Sequence, residues 1–334
     1  MIKNNEFFID NLESVVFIGA NPKLSHLIKI NDGLKLKSFT ITSTDQSKNI
    51  DKKIDFKVYD KLDKDFESFI CENFNPEKTL FFSLGARYIF KKEMIEKLFR
   101  SNLVNNHDTR LPLDAGGGGF SWHIMREDRI NSQIIHLVDE GIDTGAILVH
   151  KNSLFPAHCK IPQDFEEYRL ENLIKAYEKF IKDMTQGTKF HLKHQVDYIG
   201  RYNPRLHTLK NGYIDWQMDS YSLYNFINAF DSPYNGAITF LNNGKEKLHI
   251  KKVHLHGGDS SNHPFMSGLV SRHDKNWIVV STTGKHMLLI EEVINQKGEN
   301  IIHDIKVGDR FFTPNSHLEE AKQDRILYSS KGLK

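Results

Sequence analysis

The segment SVVFIGANPKLSHLIKI, from Ser14 to Ile30, decides the fold. Its first part, SVVFIGAN (14–21), is a continuous β-branched and aromatic run closed by Gly19, Ala20 and Asn21. An apolar run without alternation is how a strand covered on both faces of a parallel sheet reads. The remainder has helical spacing, with Asn21 placed as an N-cap and Pro22 at the first helical position. Working outward, LKSFTIT (36–42), DFKVYD (55–60), TLFFSLGA (79–86), a strand ending near LVNNH, SQIIHLVDE (132–140) and AILVHK (146–151) predict further strands. DFESFICENF and KKEMIEKLFR predict helices between them.

This alternation predicts an α/β fold, a Rossmann-like, doubly wound and mostly parallel sheet. DFEEYRLENLIKAYEKFIKDM (164–184) places Phe165, Tyr168, Leu170, Leu173, Ile174, Tyr177, Phe180 and Ile181 at helical spacing, as a long helix closing across that sheet. Residues 187–212 read as a strand and connecting loop, and SYSLYNFINAF (220–230) as a short helix beginning near a serine cap. The pattern then changes. GAITFLN, KLHIKKVHL, GLVSRH, WIVVST and HMLLIEEV are short strands separated by Gly, Asn and Asp turns, a β-rich module of roughly 236–312. The expected division is a catalytic domain over 1–200, then a connecting segment and a small β-rich, OB-like domain over 201–334.

Bulk properties exclude several classes. The 334 residues carry 45 Lys and Arg against 43 Asp and Glu, a net charge of +2, so a general nucleic-acid binder is not expected. The two cysteines, Cys71 and Cys159, are far apart and lack metal spacing. A disulfide framework and a zinc ribbon are thereby disfavoured, and a reducing cytoplasm fits. The N-terminus lacks a basic-then-apolar signal pattern, and no apolar run reaches the roughly 18 residues of a membrane span.

Two polar clusters stand at strand ends, where open α/β sheets bind ligands. NNHDTRLPLDAGGGG spans 105–119, and DEGIDTG spans 139–145. If both ends converge on one crevice, Asn105, His107 and Asp143 meet there. A histidine can take a proton from an attacking amine, an asparagine can donate to a developing oxyanion, and an aspartate can orient the imidazole or hold its charged form. Taken singly, each has a plainer reading. The chain has 17 histidines, most of them surface or capping residues by expectation. Asp143 before Thr–Gly suits an ordinary turn, Asn105 could cap a helix, and four glycines could form a mobile loop. The joint arrangement is what singles them out.

NNHDTRLP followed by IHLVDEGIDTG resembles the N10-formyltetrahydrofolate-dependent formyltransferases, whose hallmark is Asn–x–His, Leu–Pro and then Asp–Thr–Gly. VVFIGANP, SLGARYIFKKEMIEKL (83–98), GYIDWQMDSYSLYNFINAFDSPYNGAITF (212–240) and VGDRFFTP with LEEA (307–321) extend the resemblance over most of the chain. It implies formyl transfer by Asn105, His107 and Asp143, with N10-formyltetrahydrofolate as co-substrate and no metal. Gly85, Ala86, Arg87, Tyr88, Asp139, Gly141 and Ile142 would contact the folate. The stretches RYNPRLHTLKNGYIDW (201–216) and GGGGFSWHI most resemble enzymes formylating a nucleotide-linked amino sugar, such as a 4-amino-4,6-dideoxyhexose for O-antigen synthesis. Thr109, Gly116, Gly117, Gly118, Trp122, Arg201, Tyr202, Asn203 and Arg205 would hold that acceptor, with Arg favoured for its phosphates and the glycines allowing close backbone approach. A cytoplasmic homodimer is the implied form, binding neither nucleic acid nor membrane. Two alternatives remain: formylation of initiator methionyl-tRNA, and a non-catalytic folate or nucleotide-sugar binding module. The small excess of cations over 201–334 is weak support for tRNA. Asp108, Thr109 and Arg110 stand where relatives often have small or apolar residues, Tyr88-Ile89-Phe90 stands for Ile–Leu–Pro, and Asn228 for an arginine.

Overall fold

The computed structural model describes every residue except Met1, Gly118, Asp197, Tyr198, Ser330 and Lys334. Strand β1, Ser14–Gly19, is buried along its whole length. It pairs in parallel with β2, Lys37–Thr42, on one side and with β4, Thr79–Leu84, on the other. Strand β3, Phe56–Val58, continues the parallel sheet beyond β2, and β5, Leu103–His107, continues it beyond β4. Strands β6, Ile130–Leu137, and β7, Ile147–Leu154, complete the sheet as an antiparallel hairpin. The order is β7-β6-β5-β4-β1-β2-β3, so the winding reverses between β1 and β4. A doubly wound sheet opens its ligand crevice at that switch.

The apolar run works as its pattern requires. Val15 and Phe17 of β1 face one core, and Val16 and Ile18 face the other. The first core takes Leu24 and Leu27 of α1, Leu24–Gly33, and Leu170, Leu173, Tyr177, Phe180 and Ile181 of α4, Pro162–Thr185. The second takes Phe66 and Ile70 of α2, Lys64–Asn73, with Met94, Ile95 and Leu98. Each such side chain contributes roughly 1.5–3 kcal/mol when fully buried. The expected closing helix is α4. Its Tyr177 hydroxyl donates to Asn31 Oδ1 at 2.7 Å, which satisfies two buried polar groups at once.

Three local expectations are corrected. The helix after β1 starts at Leu24, not at Pro22. Asn21 instead closes a turn, its Oδ1 accepting from the Lys23 N–H at 2.8 Å and its carbonyl accepting from Leu24. KKEMIEKLFR widens into a π-helical turn over Met94–Leu98. The helix α5, Ser220–Ala229, is capped by Asp219, whose carboxylate accepts from the Tyr221 and Ser222 N–H groups. Aspartate and serine serve equally at this position.

The C-terminal strands form one antiparallel six-stranded sheet. They are β8, Ala237–Leu241, β9, Leu248–Asn262, β10, Val270–His273, β11, Ile278–Val280, β12, Gly284–Ile294, and β13, Phe311–Phe312, in the order β10-β11-β12-β9-β8-β13. A third core lies under this sheet and reaches into the first half of the chain. Ile124 of α3, Gly119–Met125, together with Phe155 and Phe165, joins Trp216, Leu223, Ile227, Ile250 and Leu288. Among the described residues no helix is long and apolar enough to cross a membrane.

Candidate active site

Asn105 and His107 lie at the carboxyl end of β5, and Ser83 of β4 pairs with Asn105. The reasoning that brought Asp143 to them needs correction. Strand β6 runs antiparallel to β5, so its carboxyl end points away from the crevice, with Leu137 opposite Val104. Asp143 arrives because the 138–145 loop doubles back. Gly145 permits this: a Cβ there would sit 1.8 Å from the Leu137 carbonyl oxygen. Asp143 itself has φ +56, a left-handed conformation that aspartate tolerates better than most residues. The Gln195 amide donates to the Asp143 and Gly145 carbonyls at 2.8 and 2.7 Å and clamps the loop from the linker side.

The three residues thus meet in one cavity of about 730 Å³. His107 Nε2 lies 2.6 Å from Thr109 Oγ1 and 3.0 Å from the Asp114 carbonyl. The Thr109 hydroxyl is also 2.6 Å from that carbonyl, so its single proton has two candidate acceptors. His107 Nδ1 faces Asp143 Oδ1 at 3.6 Å, an ion-pair separation rather than a hydrogen bond. Asp143 Oδ2 accepts from the Gly116 N–H at 3.0 Å.

His136 completes the cluster and escaped the sequence reading. It looks like one more histidine in an apolar strand, and only the β5–β6 register, with His136 opposite Asn105, reveals it. Its Nδ1 lies 2.7 Å from the Leu137 carbonyl, so that nitrogen carries the proton and donates. Nε2 then accepts from Asn105 Nδ2 at 3.1 Å. Burial, and next the charge of His107, hold the His136 imidazole below its ordinary value, and neutral. The orientation of the Asn105 carboxamide is thereby fixed, with its nitrogen toward His136 and its second N–H still to donate.

The folate candidates Gly85, Ala86, Arg87, Tyr88, Asp139, Gly141 and Ile142 all line this cavity, beside the β1–β4 switch. Some are committed to shaping it. The Gly85 carbonyl accepts from the Gln46 amide at 3.0 Å, and Asp139 Oδ1 accepts from the Gly141 N–H and the Thr144 hydroxyl. Tyr88 donates to the Tyr59 carbonyl at 2.6 Å, and burial pushes its phenol well above the ordinary value.

The acceptor candidates divide. Thr109, Gly116, Gly117, Tyr202 and Arg205 line the cavity. Trp122, Arg201 and Asn203 do not. Trp122 Nε1 donates to the Pro204 carbonyl at 2.8 Å. Arg201 Nη2 and Asn203 Nδ2 donate to buried Asp114 at 2.9 and 3.3 Å, and Arg126 lies 3.1 Å from the same oxygen. These three residues lay the 201–205 stretch across the first half of the chain. Gly118 lies outside the described residues. The glycine run itself is explained by Gly116, which has φ +95 and faces Tyr202; a Cβ there would meet the Asn203 carbonyl at 2.6 Å. Asp108, one of the departures from the family pattern, bonds Arg169 at 2.6 Å, which is also held by Glu166. Asp114, His123 and Asp128 bring possible metal-ligand atoms within 4.8 Å of one another. The carboxylates there already face Arg110, Arg126 and Arg201, so an added cation would be repelled by three guanidinium groups.

Comparison with known proteins agrees with this architecture. Residues 208–305 match the family described as formyl transferase, C-terminal domain. A methionyl-tRNA formyltransferase of Clostridium perfringens is 24% identical over 222 residues, 66% of this chain and 68% of the relative. Among solved structures, the sugar 3-N-formyltransferase WlaRD, studied with dTDP and 5-N-formyltetrahydrofolate, superposes with a TM-score of 0.61 at 18% identity, covering 84% of this chain and 97% of WlaRD. The N-formyltransferase of Helicobacter canadensis, in complex with folinic acid and dTDP-3-aminofucose, gives 0.62 at 18% identity, covering 84% of this chain and 99% of that one. Residues 208–305 thus match the C-terminal domain family of the formyl transferases, and the fold of the chain is the one seen in these two N-formyltransferase structures.

Proposed function

We propose that the chain transfers a formyl group from N10-formyltetrahydrofolate to the amine of a nucleotide-linked amino sugar. The observation that carries this reading is the meeting of Asn105, His107, Asp143 and neutral His136 in one cavity. With the Thr109 proton on the Asp114 carbonyl, His107 Nε2 is the donor and Nδ1 is bare. Nδ1 takes the proton of the amine as the new C–N bond forms, and Asp143 at 3.6 Å stabilises the imidazolium. The second N–H of Asn105 donates to the developing oxyanion, a contribution of about 3 kcal/mol. The same proton is then returned to N10 as its bond to the formyl carbon breaks. Residues 1–200 form the catalytic domain in this reading, and 201–334 the linker and smaller domain.

The dTDP present with WlaRD and the dTDP-3-aminofucose in the Helicobacter canadensis complex support the acceptor class. Arg205 and Tyr202 would meet the diphosphate and its base, a reading supported by their position in the cavity lining. The proposal extends to a 4-amino-4,6-dideoxyhexose, to O-antigen synthesis, and to a homodimer working in the cytoplasm. The test is to supply N10-formyltetrahydrofolate with a panel of nucleotide-linked 3- and 4-amino sugars and detect the formamide by mass spectrometry. Product from one or more is expected. No product from any, with formylation of methionyl-tRNA instead, would move the chain to the activity of its Clostridium relative.

A further inference from the structure

The C-terminal segment after α6, Asn315–Gln323, crosses back to the cavity. The Asp324 carbonyl and the Ala321 carbonyl accept from the Asn211 amide, which anchors one end of the segment at the linker. At its other end, Lys331 lies close enough to Asp60 to help lower that carboxyl, after the stronger effect of the Thr44 backbone N–H. Asp60 adjoins Tyr59, whose carbonyl holds Tyr88. Ile326 and Leu327 of the segment line the cavity, as do Tyr88, Ile89 and Phe90 of its 85–90 wall. Ile326 is buried to 9% exposure, while Leu327 remains 59% exposed at the rim. Two other rim residues are apolar and open, Ile89 at 78% and Ile142 at 54%. Isolated apolar side chains on a surface are ordinary, but three around one opening, with a buried fourth, form a wall suited to a flat aromatic ligand.

We propose that Ile326 and Leu327 are folate-binding residues, supplied by the C-terminal segment, that close the donor half of the cavity over the aromatic part of formyltetrahydrofolate. This rests on the formyl-donor reading above. The segment adds apolar area to a wall otherwise built from the 85–90 and 139–142 loops, and it ties donor binding to the position of the C-terminal half.

The test uses folinic acid, the stable 5-formyl analogue, titrated calorimetrically into the full chain, into Leu327→Ser and Leu327→Phe, and into a chain ended after Arg325. Removing a leucine that a ligand would cover should weaken binding about tenfold, with the shortened chain at least as weak. Leu327→Phe, which keeps the apolar area, should stay within about twofold of the wild type. Leu327 is exposed without ligand, so Leu327→Ser should melt with the wild type, which separates binding from folding. Wild-type binding that Leu327→Ser leaves within twofold, or tightens, would overturn the tail assignment alone. No binding by the wild type would overturn the folate reading together with it.

Discussion

At the residue scale the site is a set of acceptors and donors whose protons are nearly determined. Asp143 stands almost equidistant from His107 Nδ1 and His136 Nε2, at 3.6 and 3.7 Å. Burial lowers the His136 value and disfavours its charged form, and in the proposed mechanism His107 is the ring that carries the transferred proton beside Asp143. Asp143→Asn should therefore lower kcat by at least about 10²-fold, comparable with His107→Ala. The double variant should lose little more than either single one, because the residues act as a unit. Losses that multiply would show that the two work separately. His136→Leu should lower kcat about tenfold or more through the loosened Asn105 carboxamide, with a smaller effect on KM for the donor. It carries a second signature. The unfolded chain protonates His136 near its ordinary value of about 6.5, and the folded chain only at lower pH. The stability this residue contributes is then complete above about pH 6.5 and declines as pH falls toward the folded value. His136→Leu should remove that share of the acid destabilisation, measurable as a flatter dependence of Tm on pH below 6.5.

At the element scale, the legible parts were those where one pattern had one meaning. The 14–21 run could only be a buried strand, and it is β1. The 165–181 spacing could only be a long amphipathic helix, and it is α4. The Asn105–His107 pair was legible because a parallel strand ends there. The direction of β6 was not, since an apolar run reads alike parallel or antiparallel, and so the path of Asp143 was mistaken while its destination was not. The 201–205 stretch misled for another reason. Arginine and asparagine suit a phosphate and a buried carboxylate equally, and nothing in the local sequence marked Asp114 as the partner. Burial opposes the Asp114 charge, but hydrogen bonds from Arg201 and Asn203 and the Arg126 charge overrule it and hold the carboxyl below its ordinary value. Asp114→Ala should cost roughly 3–5 kcal/mol, since it leaves guanidinium groups without their counter-charge. In the wild type this stabilisation is full above the ordinary aspartate value of about 3.9 and is lost as pH falls through the lower folded value. Denaturant unfolding near neutral pH and again near pH 3 should therefore show the gap between wild type and Asp114→Ala narrowing in acid.

At the scale of the whole molecule, the third core bears on how far the two halves are separable. Ile124, Phe155 and Phe165 from the first half are buried against Trp216, Leu223 and Ile227 from the second. A chain cut at residue 200 should expose these side chains and aggregate or melt well below the full chain. A soluble fragment with the parental Tm would show that the shared core is dispensable. The same joining bears on the acceptor, because α3 follows the glycine run that lines the cavity and packs on α5 of the second half. A transfer RNA acceptor would present many phosphates to the protein. Neutralising Z phosphates on a duplex gives a salt slope near −0.9Z in log–log form, so formylation of methionyl-tRNA should collapse between low and physiological salt. A sugar diphosphate offers two negative groups and, in the proposed reading, would meet Arg205 of the cavity lining, so its KM should respond only shallowly to salt. Arg205→Ala should then raise KM for the sugar nucleotide by about tenfold and change KM for the formyl donor much less. Arg201→Ala should instead lower stability, because its partner is Asp114. Measuring both variants against both substrates separates the roles. An Arg205→Ala enzyme whose acceptor KM is unchanged, with steep salt inhibition in the wild type, would contradict the sugar reading and leave the formyl-transfer chemistry of His107 and Asp143 intact.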